Sequence, residues 1–162
     1  MRVRRTPNPP RRGVAQVLET AILLPVVMML TLGTCSTAMG VYYYQLVATL
    51  AREGARYASV HGSGYAQYGN VQPSDIYINA IKPMAVGLNL SNLTYQVQLG
   101  TYDAVSGSWV WASWVSSSTS LITSPQGLYN SVQVTVTYQW TPDLYITGPL
   151  NLTSTSVMPM SF

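Results

Sequence analysis

Ala21-Ile-Leu-Leu-Pro-Val-Val-Met-Met-Leu-Thr-Leu32 is the densest apolar stretch of the chain, and it lies within 32 consecutive uncharged residues, Thr20 to Ala51. At about 1.5 Å of rise per residue, roughly 20 residues cross a bilayer core, so the run predicts one transmembrane helix. The helical pattern continues beyond it. Ala48, Ala51, Ala55 and Ala58 recur at spacings of 3, 4 and 3, which lines small side chains along one face where another backbone can approach. A helix over 17–60 is expected, about 66 Å long, with Gly62-Ser-Gly64 as its terminator. Gly33/Thr37 and Ser36/Gly40 are pairs of small residues of the kind that pack helices in lipid, and Pro25 removes one backbone donor.

Charge fixes the expected orientation. Five of the eight basic residues (Arg2, Arg4, Arg5, Arg11, Arg12) lie in the first twelve positions, whereas past those twelve the chain has Arg52, Arg56 and Lys82 against five acids, Glu19 included, for a balance of −2. The positive-inside bias predicts a cytoplasmic N-terminus and an extracytoplasmic C-terminal domain, anchored in the inner (cytoplasmic) membrane. With no basic face on the folded part, a nucleic-acid partner is not expected. Leu32-Gly33-Thr34-Cys35 resembles a weak lipoprotein box, but the apolar segment is too long for an ordinary signal peptide and its helical pattern runs through that site. Cys35 is read instead as a small buried apolar residue of the helix.

Past Gly64 the pattern changes. Pro73-Ser74-Asp75 followed by Ile76, Ile78, Ile81 and Met84 predicts a short second helix limited by Pro83. Leu93, Tyr95, Val97 and Leu99 alternate with polar residues, as do Val132, Val134, Val136, Tyr138 and Trp140. Both are expected as antiparallel strands with one apolar face. Trp109–Val115 reads as a third strand after a Ser106-Gly107 loop, Leu150–Met158 as a weaker fourth, and Ser116–Ser120 as a loop. A sheet with one apolar face needs a cover, and the alanine-striped half of the long helix is available. The expected fold is α+β, a long N-terminal helix packed on a small antiparallel sheet of about four strands, with residues 1–13 as a basic leader, 14–62 as the helix and 63–162 as the outer domain.

Little in the composition supports catalysis. One Cys and one His cannot supply a Cys- and His-rich zinc site or a disulfide. Asp75, Asp103 and Asp143 fall where Asp ordinarily caps or turns the chain, and His61 where a helix ends. No phosphate-binding glycine loop or serine-nucleophile elbow is present. The reading is therefore non-enzymatic, with no cofactor. Trp109 and Trp111 share one strand face; they either build core, as strand aromatics usually do, or form an exposed platform for sugars or surfaces. Core is the expected alternative.

Arg11-Arg-Gly13, Glu19-Thr-Ala-Ile-Leu-Leu-Pro25 and Ala51-Arg-Glu-Gly-Ala-Arg-Tyr-Ala58 together resemble the TadE-like family, minor pseudopilins of tight-adherence (Tad) pili. The resemblance covers residues 11 to about 60. It implies a prepilin cut by a prepilin peptidase after Gly13, leaving Val14 as the new terminus, and an assembly role for Glu19 and Pro25. Glu19 would face the free amine of a neighbouring pilin or pseudopilin subunit. Two departures stand out: Glu19 is sixth counting from Val14 where five is usual, and Thr20 stands where an aromatic is common. The implied function is a minor pseudopilin working with the Tad assembly machinery through its N-terminal helix. The alternative is a signal-anchored extracytoplasmic glycan- or surface-binding module using the Trp-rich strand.

Overall fold

The computed structural model describes residues 11–61, 71–114, 123–124, 127–128, 131–142 and 148–160, with the side chains of Arg11, Arg12 and Val14 and of the short strands at 123–128 left aside. The first element is a 50-residue helix, α1 (Arg11–Val60), which passes through Pro25 and ends at His61. It runs through two compact units that divide between Met39 and Gly40.

The first unit is helix alone. From Ala15 to Met39 nearly every side chain is exposed, although the stretch is the most apolar in the protein. Four threonines interrupt it, and each returns its hydroxyl proton to a carbonyl one turn back. Thr20 Oγ1 donates to Gln16 O at 2.8 Å, Thr31 to Met28 O at 2.9 Å, Thr34 to Thr31 O at 2.8 Å and Thr37 to Gly33 O at 2.9 Å. No threonine donor is then left unpaired for an apolar solvent to penalise.

The second unit, Gly40–Phe162, holds the core. After α1 come α2 (Pro73–Ile76), a π-helical turn (Tyr77–Ile81) and α3 (Lys82–Met84), together the predicted second helix. Asp75 caps its start by accepting the Gln72 N–H at 2.8 Å. Pro83 has no N–H to return to Asn79 O, and the widened turn just before it is where the α ladder is already broken. The sheet contains β1 (Leu93–Asp103), β2 (Ser108–Ser113), β5 (Ser131–Trp140) and β6 (Leu150–Pro159) in the order β2-β1-β5-β6, all antiparallel. A small hairpin, β3 (Thr123–Ser124) with β4 (Gly127–Leu128), was not foreseen from the sequence. Gly62–Gly64, Ser116–Ser120 and Asp143 lie outside the described residues.

Register assigns the faces. Leu93 opposes Tyr138, Val97 opposes Val134 and Leu99 opposes Val132, so the odd residues of β1 and the even residues of β5 form one apolar surface. Val47, Leu50, Ala51, Ala55 and Ala58 of α1 are buried with those residues and with Ile76 and Ile81 in one cluster. The helix-on-sheet α+β architecture expected from the sequence is what the structure shows. The helix approaches closely at Gly54, where a Cβ would sit 3.2 Å from Val134 Cγ1 and 3.3 Å from Ile81 Cγ1, and at Gly40, where it would sit 2.9 Å from the Trp140 ring.

Candidate functional site

Three places in the chain hold the residues singled out above, and each is taken within its own unit.

The first is the exposed helix. Gly13 lies in the first turn of α1, where the leading N–H groups have no intrahelical partner, and a glycine there weakens the helix further. The Gly13–Val14 bond therefore sits in the part of the helix that unwinds most readily. Glu19 follows one and a half turns later, exposed, and among the described residues no hydrogen bond or ion pair reaches it. Beyond it Val17, Ile22, Leu24, Met29 and Leu30 are all more than half exposed, Met29 at 72%. Ala15–Val60 contains a span long and apolar enough to cross a membrane, with none of that window buried inside the protein. Apolar side chains this exposed require a lipid or protein cover. Cys35, expected as a buried residue, is exposed on this same surface, since the core lies entirely in the other unit.

The second is the segment Ala51-Arg-Glu-Gly-Ala-Arg-Tyr-Ala58, whose pattern is explained by packing. Ala51, Gly54, Ala55 and Ala58 point into the core, while Arg52 and Arg56 point out. Ala48, expected in the same stripe, is only half-buried at its margin. Gly54 is the residue of this segment that sequence reasoning missed: the alanines carry the periodic stripe, yet the glycine packs closely on Val134 and Ile81. Glu53 pairs with Arg56 at 3.7 Å across one helical turn, worth under about 1 kcal/mol in solvent. Tyr57 stacks on His61 with ring centroids 4.1 Å apart, and its hydroxyl accepts from Asn79 at 3.3 Å. These side chains line an open hollow of about 310 Å³. His61 Nδ1 and its backbone N–H both lie on Tyr57 O, at 3.1 and 2.9 Å, the geometry of a helix end. Among the described residues no three of His, Cys, Asp and Glu gather where a metal could be held.

The third is the tryptophan cluster, where the expectation of core is corrected. Trp109 opposes Tyr102 and Trp111 opposes Gly100, so all four positions belong to the sheet face turned away from α1. Trp109 is 44% exposed and Tyr102 49%. Alternation fixed that the two indoles share a face; it could not say which. Trp111 is half-buried because its ring lies over Gly100, where a Cβ would collide with it. Its ring centroid is 5.7 Å from that of Trp109, nearly parallel, and Tyr102 meets Trp109 edge-on at 5.5 Å. The tryptophans that do serve the core are the other two. Trp114 packs on it and donates Nε1–H to Val71 O at 3.1 Å. Trp140 lies against Gly40 and Tyr43.

Asp103, beside this cluster, turns the chain between β1 and β2. It accepts the Val105 N–H at 2.9 Å and the Ser106 hydroxyl at 2.8 Å, and these donors hold its pKa below the ordinary carboxylate value.

The segment that holds the first two places is similar to a known family. Residues 13–56 fit the family model of TadE-like proteins, in agreement with the resemblance carried by Gly13, Glu19–Pro25 and Ala51–Ala58. The matched segment takes in the exposed first half of α1 and most of the inward-facing stripe. No curated protein matches the chain, and no solved structure does.

Proposed function

We propose that the protein is a minor pseudopilin of a Tad-type pilus: a single-pass inner-membrane protein, cytoplasmic at its N-terminus, that is processed by a prepilin peptidase and joins the fibre or its base through the first half of α1. One observation carries this reading. The TadE-like match begins at Gly13 and takes in the stretch of α1 whose apolar side chains are exposed, the one helix among the described residues long and apolar enough to cross a membrane. In the membrane those side chains meet lipid; in an assembled fibre they meet the helices of other subunits, so one surface serves both states. Gly33 with Thr37 lets such helices approach closely, and nothing lies within 4 Å of a Cβ at Gly33. Cleavage of Gly13–Val14 removes the arginine-rich leader and creates a free amine near Glu19, whose carboxylate has no partner among the described residues. A carboxylate at a membrane edge is costly until paired, and a neighbouring subunit's amine offers the pair. No step of this role requires catalysis or a cofactor.

Intact-mass analysis of the native protein tests the proposal most directly. Loss of residues 1–13 is expected in cells with an active prepilin peptidase, and a full-length mass there would refute it. Orientation is tested separately by reporter fusions after Phe162, which should be active only outside the cytoplasm.

A further inference from the structure

The fold packs α1 on one face of its sheet; the described side chains on the other range from half-buried at Gln98, Trp111 and Gln133 to exposed at Thr94, Gln96, Thr153 and Thr155. On the outer face the register aligns Thr94, Thr137 and Thr153 in one row and Gln96, Thr135 and Thr155 in the next. Gln98, Gln133 and the exposed Val157 of the edge strand stand side by side in a third, and Trp111 lies over Gly100 beyond them. Thr135 and Thr155 join hydroxyls at 3.0 Å, as do Thr137 and Thr153. No residue whose register places it on this face is Asp, Glu, Lys, Arg or His. At one corner the rows end in the exposed aromatics Tyr102 and Trp109.

We propose that this face is a docking surface for a neutral, extended polysaccharide. Charge decides among occupants. A face without basic residues offers nothing to a polyanion, a nucleic acid or an anionic lipid surface, and one without acids offers nothing to a cation. An apolar protein partner would want an apolar centre, whereas here the centre is hydroxyl and amide, with the aromatics confined to one end. A neutral sugar chain suits both parts: its C–H faces lie on indole and phenol rings, and its hydroxyls exchange hydrogen bonds with Gln and Thr. Gln133 Oε1 has no hydrogen-bond donor in the free sheet, an acceptor that a sugar hydroxyl satisfies once the amide turns outward. Exposure of Trp109 and Tyr102 is otherwise a cost without return, since a large aromatic contributes to stability by being buried. The proposal stands apart from the pilus reading; its failure would leave the processing of Gly13–Val14 untouched.

The test uses the full chain in a zwitterionic detergent that carries no sugar headgroup. Cellohexaose, chitohexaose and mannohexaose are titrated by calorimetry, with an alginate oligosaccharide as the anionic control. Binding of at least one neutral chain and none of alginate is expected. Trp109→Ala should weaken that binding about tenfold, the scale of one lost aromatic contact. Because Trp109 lies on an edge strand and is exposed, its loss should leave the melting temperature in place. Thr135→Val, which keeps shape and removes a hydroxyl, should weaken binding too, and exposed Val86→Ala should not. Absence of binding to all three neutral chains, or unchanged affinity in Trp109→Ala, overturns the proposal. Self-association in sedimentation that Trp109→Ala abolishes would also overturn it, because the face would then belong to a second copy.

Discussion

Residues 15–39 and 40–60 of α1 are the same secondary structure in one unbroken helix, yet they solve opposite problems. The first half is built from Leu, Ile, Val and Met, and buries almost none of them. The second half turns Val47, Leu50, Ala51, Gly54, Ala55 and Ala58 inward and hides all six. The larger apolar side chains are thus exposed, and the smaller ones are where the core is. Hydrophobicity alone does not mark a core. What marks it here is a stripe of small residues at helical spacing, because a flat sheet admits a helix only as close as its bulkiest inward side chains allow.

The comparison breaks most visibly at leucine. Leu50 is fully buried, so Leu50→Ala should cost the domain about 2–5 kcal/mol, the range for a large-to-small change in a core. Leu30→Ala, on the bare half, should leave thermal melting of the detergent-solubilised protein within about 0.5 kcal/mol of wild type. Equal losses at the two positions would mean that the first half also packs within the protein.

Glycine sharpens the same contrast with a smaller effect. A side chain at Gly54 meets Val134 and Ile81 at 3.2–3.3 Å, both buried or core-lining, so Gly54→Val should cost about 1–3 kcal/mol through overpacking. At Gly33 nothing lies within 4 Å of the added atom, and Gly33→Val should leave the melt unchanged or slightly raised. Melting curves of the two variants side by side decide it.

How far the sequence reached can be read from these same residues. The long helix, both central strands and the helix-on-sheet packing were legible because each rests on a period, 3.6 for Ala51, Ala55 and Ala58 and 2 for Val132, Val134 and Val136, and period assigns a face. Gly54 was not legible as a close contact, because a glycine among spaced alanines carries no periodic signal of its own. The side taken by Trp109 and Trp111 was hidden for a different reason. Their strand is apolar on both faces, with Val110 and Ala112 opposite the indoles, so alternation offered two equally apolar choices. Pairing with Tyr102 and Gly100 across β1 settles it, and pairing is a long-range fact.

A third effect lies outside the helix and should leave the contrast between its halves untouched. Asp103 has a folded pKa below its ordinary 3.8, because the Val105 N–H and then the Ser106 hydroxyl stabilise the carboxylate. A carboxyl lowered in this way stabilises the fold above the unfolded value and loses that contribution as pH falls through the folded one. The β1–β2 turn should therefore hold equally well at pH 7 and pH 5 and loosen below about pH 3.8. Amide exchange at Val105 checks this, and Asp103→Asn should remove the pH dependence.

The smallest effect on the fold is expected at Glu19, and it bears most on function. Glu19 is exposed, among the described residues it makes no ion pair, and it lies on the half of α1 that the core does not use. Glu19→Ala should leave the melting temperature of the domain unchanged. Insertion should become easier, since an acidic side chain at the centre of a membrane helix costs about 2.5–3.5 kcal/mol and less near the interface. Assembly should nevertheless fail, because the proposed partner of the carboxylate is the amine of another subunit, and an alanine offers that amine nothing. Membrane fractionation and pilus counts on the same cells separate the two consequences. Normal piliation with Glu19→Ala would show that the carboxylate does not pair with a neighbour, and would move the assembly contact elsewhere on the bare half of the helix.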